Sequence, residues 1–280
     1  MMTLPDALRK LPQKWEVANL GGTRINLMRE GVVTLVGVKK LESEALFVSV
    51  EAGGTLRETA KVEFAGKERY WWIARKANGV IRRALLSQLD IKNCTVDEPC
   101  VQCEICALLG GLNTQTNGSL FSRVKLQDLI SVQEYVYDEK FRVRLPDDPT
   151  APNANPVPFQ EVIVPPGTEF PFIARIVKPS LRDLALFLLG NQIADGLGYG
   201  NYSKLRGDAT TRWLLLANGF LHVSMHDLLE RADEASIGDQ VVEIAESPLG
   251  VAKEQVLTGE QLAKAVAELI ASAKPVTKGS

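Results

Sequence analysis

Residues 170–194 read FPFIARIVKPSLRDLALFLLGNQIA, and this stretch decides the fold class. FPFIARIV, residues 170–177, alternates in the manner of a strand. Lys178-Pro179 stops it, because proline fixes φ and brings no backbone donor. Ser180 with Asp183 three residues on has the form of a capping box, opening a helix that runs to about residue 194. A strand that feeds an apolar helix in this way is one half of a βαββαβ unit.

The other half lies upstream. Residues 31–50, GVVTLVGVKKLESEALFVSV, hold two Val/Leu-rich runs around KKLESE and read as two strands joined by a turn or short loop. Lys61 to Ala74 is a further strand candidate that ends in Tyr70, Trp71 and Trp72. Adjacent tryptophans in a strand face opposite sides, which places at least one in the core. In GVIRRALLSQLD, residues 79–90, the period changes. Ile81, Leu85 and Leu89 share a helical face, with Arg82 and Arg83 beside it at the N-terminal end. GSLFSRVKLQDLISVQEYVYD reads as strand or hairpin, and TTRWLLLANGFLHV as a final strand pair. Thr258 with Gln261 caps a last amphipathic helix. Stripped of insertions, the order is strand, helix, two strands, helix, strand. This is the α+β, ferredoxin-like βαββαβ arrangement, an antiparallel sheet backed by two helices. The fold hosts many functions, so the sites must decide.

Of the 280 residues, 45% are hydrophobic and 24% charged, enough apolar side chain for a real core. No run approaches the roughly twenty apolar residues of a membrane helix. MMTLPDALRKLPQKW has no signal-peptide character, so a cytoplasmic location with reduced thiols is expected. A net charge of −2 argues against a generally basic nucleic-acid coat, and any polyanion must be met by a local patch. Between Arg57 and Arg83 stand eight basic residues against three glutamates; between Asp227 and Glu260 stand nine acidic residues against Arg231 and Lys253. Each run also reads as a solvated face. PDDPTAPNANPVPFQEVIVPPGTEFP, residues 146–171, holds eight of the fourteen prolines and excludes a central strand or long helix. VIV at 162–164 suits the returning arm of a projecting hairpin.

The only four cysteines, Cys94, Cys100, Cys103 and Cys106, are spaced C-x5-C-x2-C-x2-C in a polar stretch. Four thiolates at this spacing suit one tetrahedral zinc ion in a closed, structural shell. An iron–sulfur cluster is the competing reading. Disulfides are disfavoured in the expected compartment.

CVQCEICALLGGLNTQTNGSLFSRVKLQD resembles the cysteine-cluster, glycine, then G-S-x-x-S-[KR]-V pattern of the type I-D CRISPR backbone subunit, a member of the RAMP superfamily. VTLVGVKKLESEALFVS resembles that family's opening strand pair, and GVIRRALLSQL its palm helix. VIVPPGTEFPFIARIVKPSLRDLALFLLGNQIADGLGYGNYSKLRGD resembles its second-half strand, helix and glycine-rich loop. The match spans roughly residues 30–220. It implies one RAMP-type domain over 1–280, a modified ferredoxin-like, RRM-related palm with a zinc loop at about 92–112 and a thumb hairpin at about 134–168. It further implies a protein that polymerises along CRISPR RNA in a Cascade-like antiviral effector complex, with copies of itself, other effector subunits and the guide-paired target nucleic acid as partners.

Such a filament neutralises phosphates with Lys, Arg and backbone N–H groups without reading sequence. The candidates are Lys39, Arg57, Arg75 and Lys76; Arg82 and Arg83 at a helix N-terminus; Ser119; Arg123 and Lys125 on one side of a strand; and Gly198, Tyr199, Gly200 and Lys204 of the glycine loop, where Tyr199 offers a stacking face. Each has a bland alternative as a solvated or ion-paired residue. Phe159 is the thumb candidate for a wedge at a displaced nucleotide. No catalytic constellation stands out, so the expected role is non-catalytic. The alternatives are a metal-dependent RAMP endonuclease cutting target at regular spacing, with Glu51 in SVEAGG as positional candidate, and a zinc-stabilised interaction module outside CRISPR biology.

Overall fold

A computed structural model describes residues 5–13, 17–20, 23–26, 31–48, 56–89, 91, 93–116, 118–144, 157–200, 206–247 and 251–273. Its central sheet and backing helices are built from β1 (Val32–Leu41), α1 (Ala74–Gln88), β2 (Val124–Leu126), β3 (Glu169–Val177), α2 (Leu181–Leu197), β4 (Ala209–Ala217), β5 (Val256–Thr258) and α3 (Gly259–Ala273). The strands lie in the order β5-β4-β1-β3-β2, every neighbouring pair antiparallel. The chain is therefore α+β, and its first six core elements follow one another as strand, helix, strand, strand, helix, strand.

β1 is central and buried from Val33 to Lys39 because both faces of the sheet are covered. One face sets Val33, Leu35, Phe170, Phe172 and Leu216 against α1, α2 and α3. The other sets Val36, Val38, Ile173 and Leu215 against Leu228, Ile237 and Val241, from the helices Met225–Glu230 and Ile237–Glu246. α2 opens with the expected capping box: Ser180 Oγ accepts from Asp183 N, and Asp183 accepts from Ser180 N. Among the described residues no helix is long and apolar enough to cross a membrane.

Several elements differ from the sequence reading. The described residues of the run after KKLESE form no second strand; Ala45, Leu46 and Phe47 are all buried, and Ala45 makes isolated bridges to Val164 and Arg206. Lys61 to Trp72 is a hairpin of two strands, Lys61–Phe64 and Lys67–Trp72. Trp72 is core, stacked on Phe47 at 4.6 Å, while the half-buried Trp71 donates Nε1–H to Asp128. α1 starts at Ala74 rather than near Gly79, because Asp128 accepts from Ala74 N at 2.8 Å and supplies the cap that Ile73 lacks. TTRWLLLANGFLHV contributes one strand, not two.

The proline-rich excursion forms a hairpin among its described residues. Glu139–Arg144 pairs antiparallel with Val157–Val162, and Leu56–Glu58 runs parallel to the returning arm. Arg142 ties the base, with Nη2 at 2.6 Å from Glu44 and Nε at 2.9 Å from Glu161. Phe141 and Val143 point outward, 70% and 45% exposed.

Candidate metal centre and nucleic-acid interface

Cys94 lies in the loop after α1. Cys100 and Cys103 flank a tight turn, and Cys106 is carried by the short helix Glu104–Leu109. The four sulfurs lie within 4.8 Å of one another, with Cys94 Sγ 3.6 Å from Cys106 Sγ and 3.7 Å from Cys103 Sγ. A tetrahedral ion with bonds of about 2.3 Å requires sulfur–sulfur edges of about 3.8 Å, so the four residues fit one ion. A cluster with several irons between the sulfurs needs them further apart. Backbone N–H groups already point at the sulfurs: Cys100 N at Cys94, Gln102 N and Cys103 N at Cys100, Cys106 N at Cys103. Val101 supports this turn at a φ of 49°, a costly conformation for a β-branched residue. Gly110 ends the helix at φ 79°, where an added Cβ would sit 2.7 Å from Ser122 N. The hydrogen bond from the Cys103 side chain, with the Arg82 guanidinium adding to it against the effect of burial, holds the Cys106 thiol at about 5. That same bond, together with burial, pushes the Cys103 thiol up.

Three arginines clamp this short helix to the central sheet and its backing helices. Arg82 donates to Gly110 O at 2.5 Å and Cys106 Sγ at 3.0 Å. Arg123 donates Nε–H to Ala107 O at 2.9 Å and forms a two-pronged pair with Asp183 at 2.5 and 2.9 Å. Arg182 grips Glu104 at 2.6 and 3.0 Å. The first two were candidates for RNA contact, and the structure corrects both. Arg82 and Arg123 are 9% and 8% exposed, with guanidiniums turned inward to carbonyls, sulfur and carboxylate, so neither reaches a phosphate. Arg82 and Arg83 also lie in the middle of α1, not at its start. Arg123 precedes β2 rather than sharing its exposed side with Lys125.

Lys39 and Tyr199 are corrected in the same way. Lys39 is fully buried; its ammonium donates to Asp195 at 2.6 Å, Thr211 Oγ1 at 2.7 Å and Tyr199 Oη at 3.0 Å. Burial pulls its pKa down while Asp195 opposes, and burial raises that of Tyr199. Tyr199 packs edge-on against Trp72 at 4.5 Å and offers no face to a base. The glycine loop is likewise used internally. Gly198 N donates to Ala194 O, Tyr199 N to Gly207 O and Gly200 N to Arg206 O. A Cβ on Gly198 would lie 2.1 Å from Arg206 O, so this glycine serves chain packing. Phe159 is half-buried, with the Arg57 guanidinium 5.6 Å from its ring centroid, which places both in the hairpin base. Lys204 and Glu51 lie outside the described residues.

What remains exposed is a cationic face on α1. Arg75, Lys76 and Arg83 are exposed, and seven residues place Lys76 and Arg83 on the same side, about 10 Å apart along the axis. Arg83 Nη1 reaches back to within 3.7 Å of where a Gly79 Cβ would stand, closing much of that gap. Lys76 Nζ donates to the Val48 carbonyl. Among the described residues no carboxylate pairs with any of the three. The first turn of α1 has no acidic residue, so Arg75 and Lys76 sit at the positive end of the helix dipole, where cations are disfavoured. Ser119 and Lys125 are exposed as well, on the hairpin after the cysteines and on the edge strand β2.

Sequence reasoning missed the Lys39–Asp195–Thr211 network and the clamp from Arg182. An aspartate sixteen residues before a threonine carries no local pattern. The signal available was Lys39 itself, a cation inside a run of valines.

The chain matches no protein-family model and no curated protein. Among solved structures, Thermofilum pendens Csc2 aligns with a TM-score of 0.57 over 86% of this chain and 82% of Csc2, at 15% identity. A chain of a CRISPR RNA-guided surveillance complex aligns at 0.49 over 85% of this chain and 99% of its own length, at 12% identity. A chain of the type III-B Cmr-beta complex bound to cognate target RNA aligns at 0.44 over 65% and 59%, at 14% identity. At such identities the likeness is one of fold, and the first alignment carries it: the chain has the fold of Csc2.

Proposed function

We propose that this chain is a RAMP-superfamily backbone subunit of a CRISPR effector complex, of the type I-D kind, that polymerises along CRISPR RNA and supports pairing of guide with target. In this reading the palm is a modified ferredoxin-like domain in the cytoplasm, the paired strands Glu139–Arg144 and Val157–Val162 belong to the thumb, and the four cysteines hold structural zinc. The subunit binds without cutting. The observation that carries the reading is the exposed face of Arg75, Lys76 and Arg83 around Gly79, with two of the three cations placed against the helix dipole. Charges that cost stability and have no carboxylate partner among the described residues suit a phosphate backbone. The fold likeness to Csc2 supports the superfamily.

The test is binding of the metal-replete protein to single-stranded RNA at several KCl concentrations. Each phosphate contact contributes about 0.7 to the salt slope, so a triple change of Arg75, Lys76 and Arg83 to Gln should lower the slope by about 2. Wild-type protein with no salt-sensitive RNA binding, or an unchanged slope in the triple variant, refutes the proposal.

A further inference from the structure

Arg82 and Arg83 are adjacent in sequence and opposite in fate. Arg83 is exposed, whereas Arg82 is buried between α1 and the cysteine cluster. Cys94, Cys100 and Cys103 each take a backbone N–H at sulfur. Cys106, the one fully buried cysteine, has the Val101 backbone N–H beside it and in addition takes the Arg82 guanidinium at 3.0 Å; the same guanidinium holds Gly110 O, the carbonyl just past the end of the cysteine helix. Four thiolates around one divalent ion leave a net charge of −2, and a charge of that size is costly on the buried Cys94–Cys106 side without a counter-charge beside it. A planar guanidinium with a fixed fork of donors serves sulfur and carbonyl together; an ammonium does not reproduce that geometry.

We infer that Arg82 is the positioning residue of the metal centre: it fixes Cys106 Sγ, supplies the counter-charge, and couples loading of the ion to α1, the helix that displays Arg75, Lys76 and Arg83. This rests on reading the cysteines as a metal centre. It assigns to Arg82 a role toward the ion in place of contact with nucleic acid.

The experiment uses full-length wild type, Arg82→Met and Arg82→Lys, stripped of metal and titrated with cobalt(II). Metal affinity, the sulfur-to-cobalt charge-transfer band and hydrogen exchange in residues 74–88 are read together. Wild type should take one ion and gain protection in α1. Arg82→Met should bind about 10–100-fold more weakly, which is the usual cost of losing an outer-shell partner. Its charge-transfer band should move to lower energy, because the Cys106 sulfur loses a donor, and the ion-dependent protection of α1 should vanish. Arg82→Lys should recover part of the affinity. If wild type takes no ion, the reading of the cysteines fails and the inference with it. If wild type loads but Arg82→Met keeps its affinity and band, only the role of Arg82 fails. Should Arg82→Met not fold, Arg82→Lys decides: a loss beyond measurement error is expected, and wild-type affinity and band overturn the assignment.

Discussion

Replacing Gly79 by alanine should make the protein more stable and a weaker RNA binder. Gly79 is the sixth residue of the fifteen-residue helix α1, well inside it. A glycine there costs about 0.5–1 kcal/mol relative to alanine through backbone entropy. An added Cβ meets only Arg83 Nη1 at 3.7 Å, an ordinary contact with the mobile end of a side chain, so packing does not require the glycine. The substitution should therefore gain most of that propensity difference and raise Tm by about 1–4 °C for a chain of this size. The same methyl group stands on the face between Lys76 and Arg83, where on the proposed reading it would hold a phosphate away from the helix backbone. RNA affinity should fall even though no charge is removed. Thermal unfolding of the full-length protein and anisotropy of labelled single-stranded RNA measure the two effects on one preparation. A higher Tm with unchanged RNA affinity would refute the claim that this face receives the backbone. A lower Tm would refute the description of α1 itself.

Lys39→Met leaves the Asp195 carboxylate buried without its counter-charge, which should cost about 3–5 kcal/mol in urea unfolding. If Lys39 met RNA instead, the salt slope of binding would drop while stability held. The Tyr135 hydroxyl donates to Glu58 at 2.8 Å and holds that carboxyl below the usual range. The unfolded chain then takes up the proton first, so the contribution is present above the ordinary carboxylate range and lost as pH falls through the lowered value. Tyr135→Phe should flatten the acid limb of the stability profile, and an unaltered limb would contradict this. If the cysteines hold the proposed ion, removing it with a strong chelator should lower Tm, because Ile105, Leu108 and Leu109 of the cysteine helix belong to the main core. Native mass spectrometry should find one ion per chain before chelation, and a Tm indifferent to its loss would show that the centre supports nothing.

Most of the central sheet and its backing helices was legible because their signals are local. The capping box at Ser180 and Asp183, the alternation of residues 170–177 and the spacing of the four cysteines each depend on a handful of neighbouring residues. Where α1 begins was not legible, since its cap is Asp128, fifty-four residues downstream. The second run of residues 31–50 misled for a similar reason. Ala45 to Phe47 are apolar because they dock between distant segments, not because they alternate along a sheet.

The nucleic-acid candidates show the division most clearly. Sequence alone determined that a cation-rich stretch leads into a helix followed by a four-thiolate cluster. It also determined, through strand and helix periodicity, the order of the elements that carry them. Only the tertiary structure decided which cations face outward. Arg82 and Arg83 have the same chemistry and adjacent positions, yet one is turned onto Gly110 O and Cys106 Sγ and the other reaches along the open face toward Gly79. Secondary structure follows from propensities acting over a few residues. The burial of a charge is settled by long-range partners, and Arg123, Lys39 and Arg82 each met theirs only when the chain closed on itself.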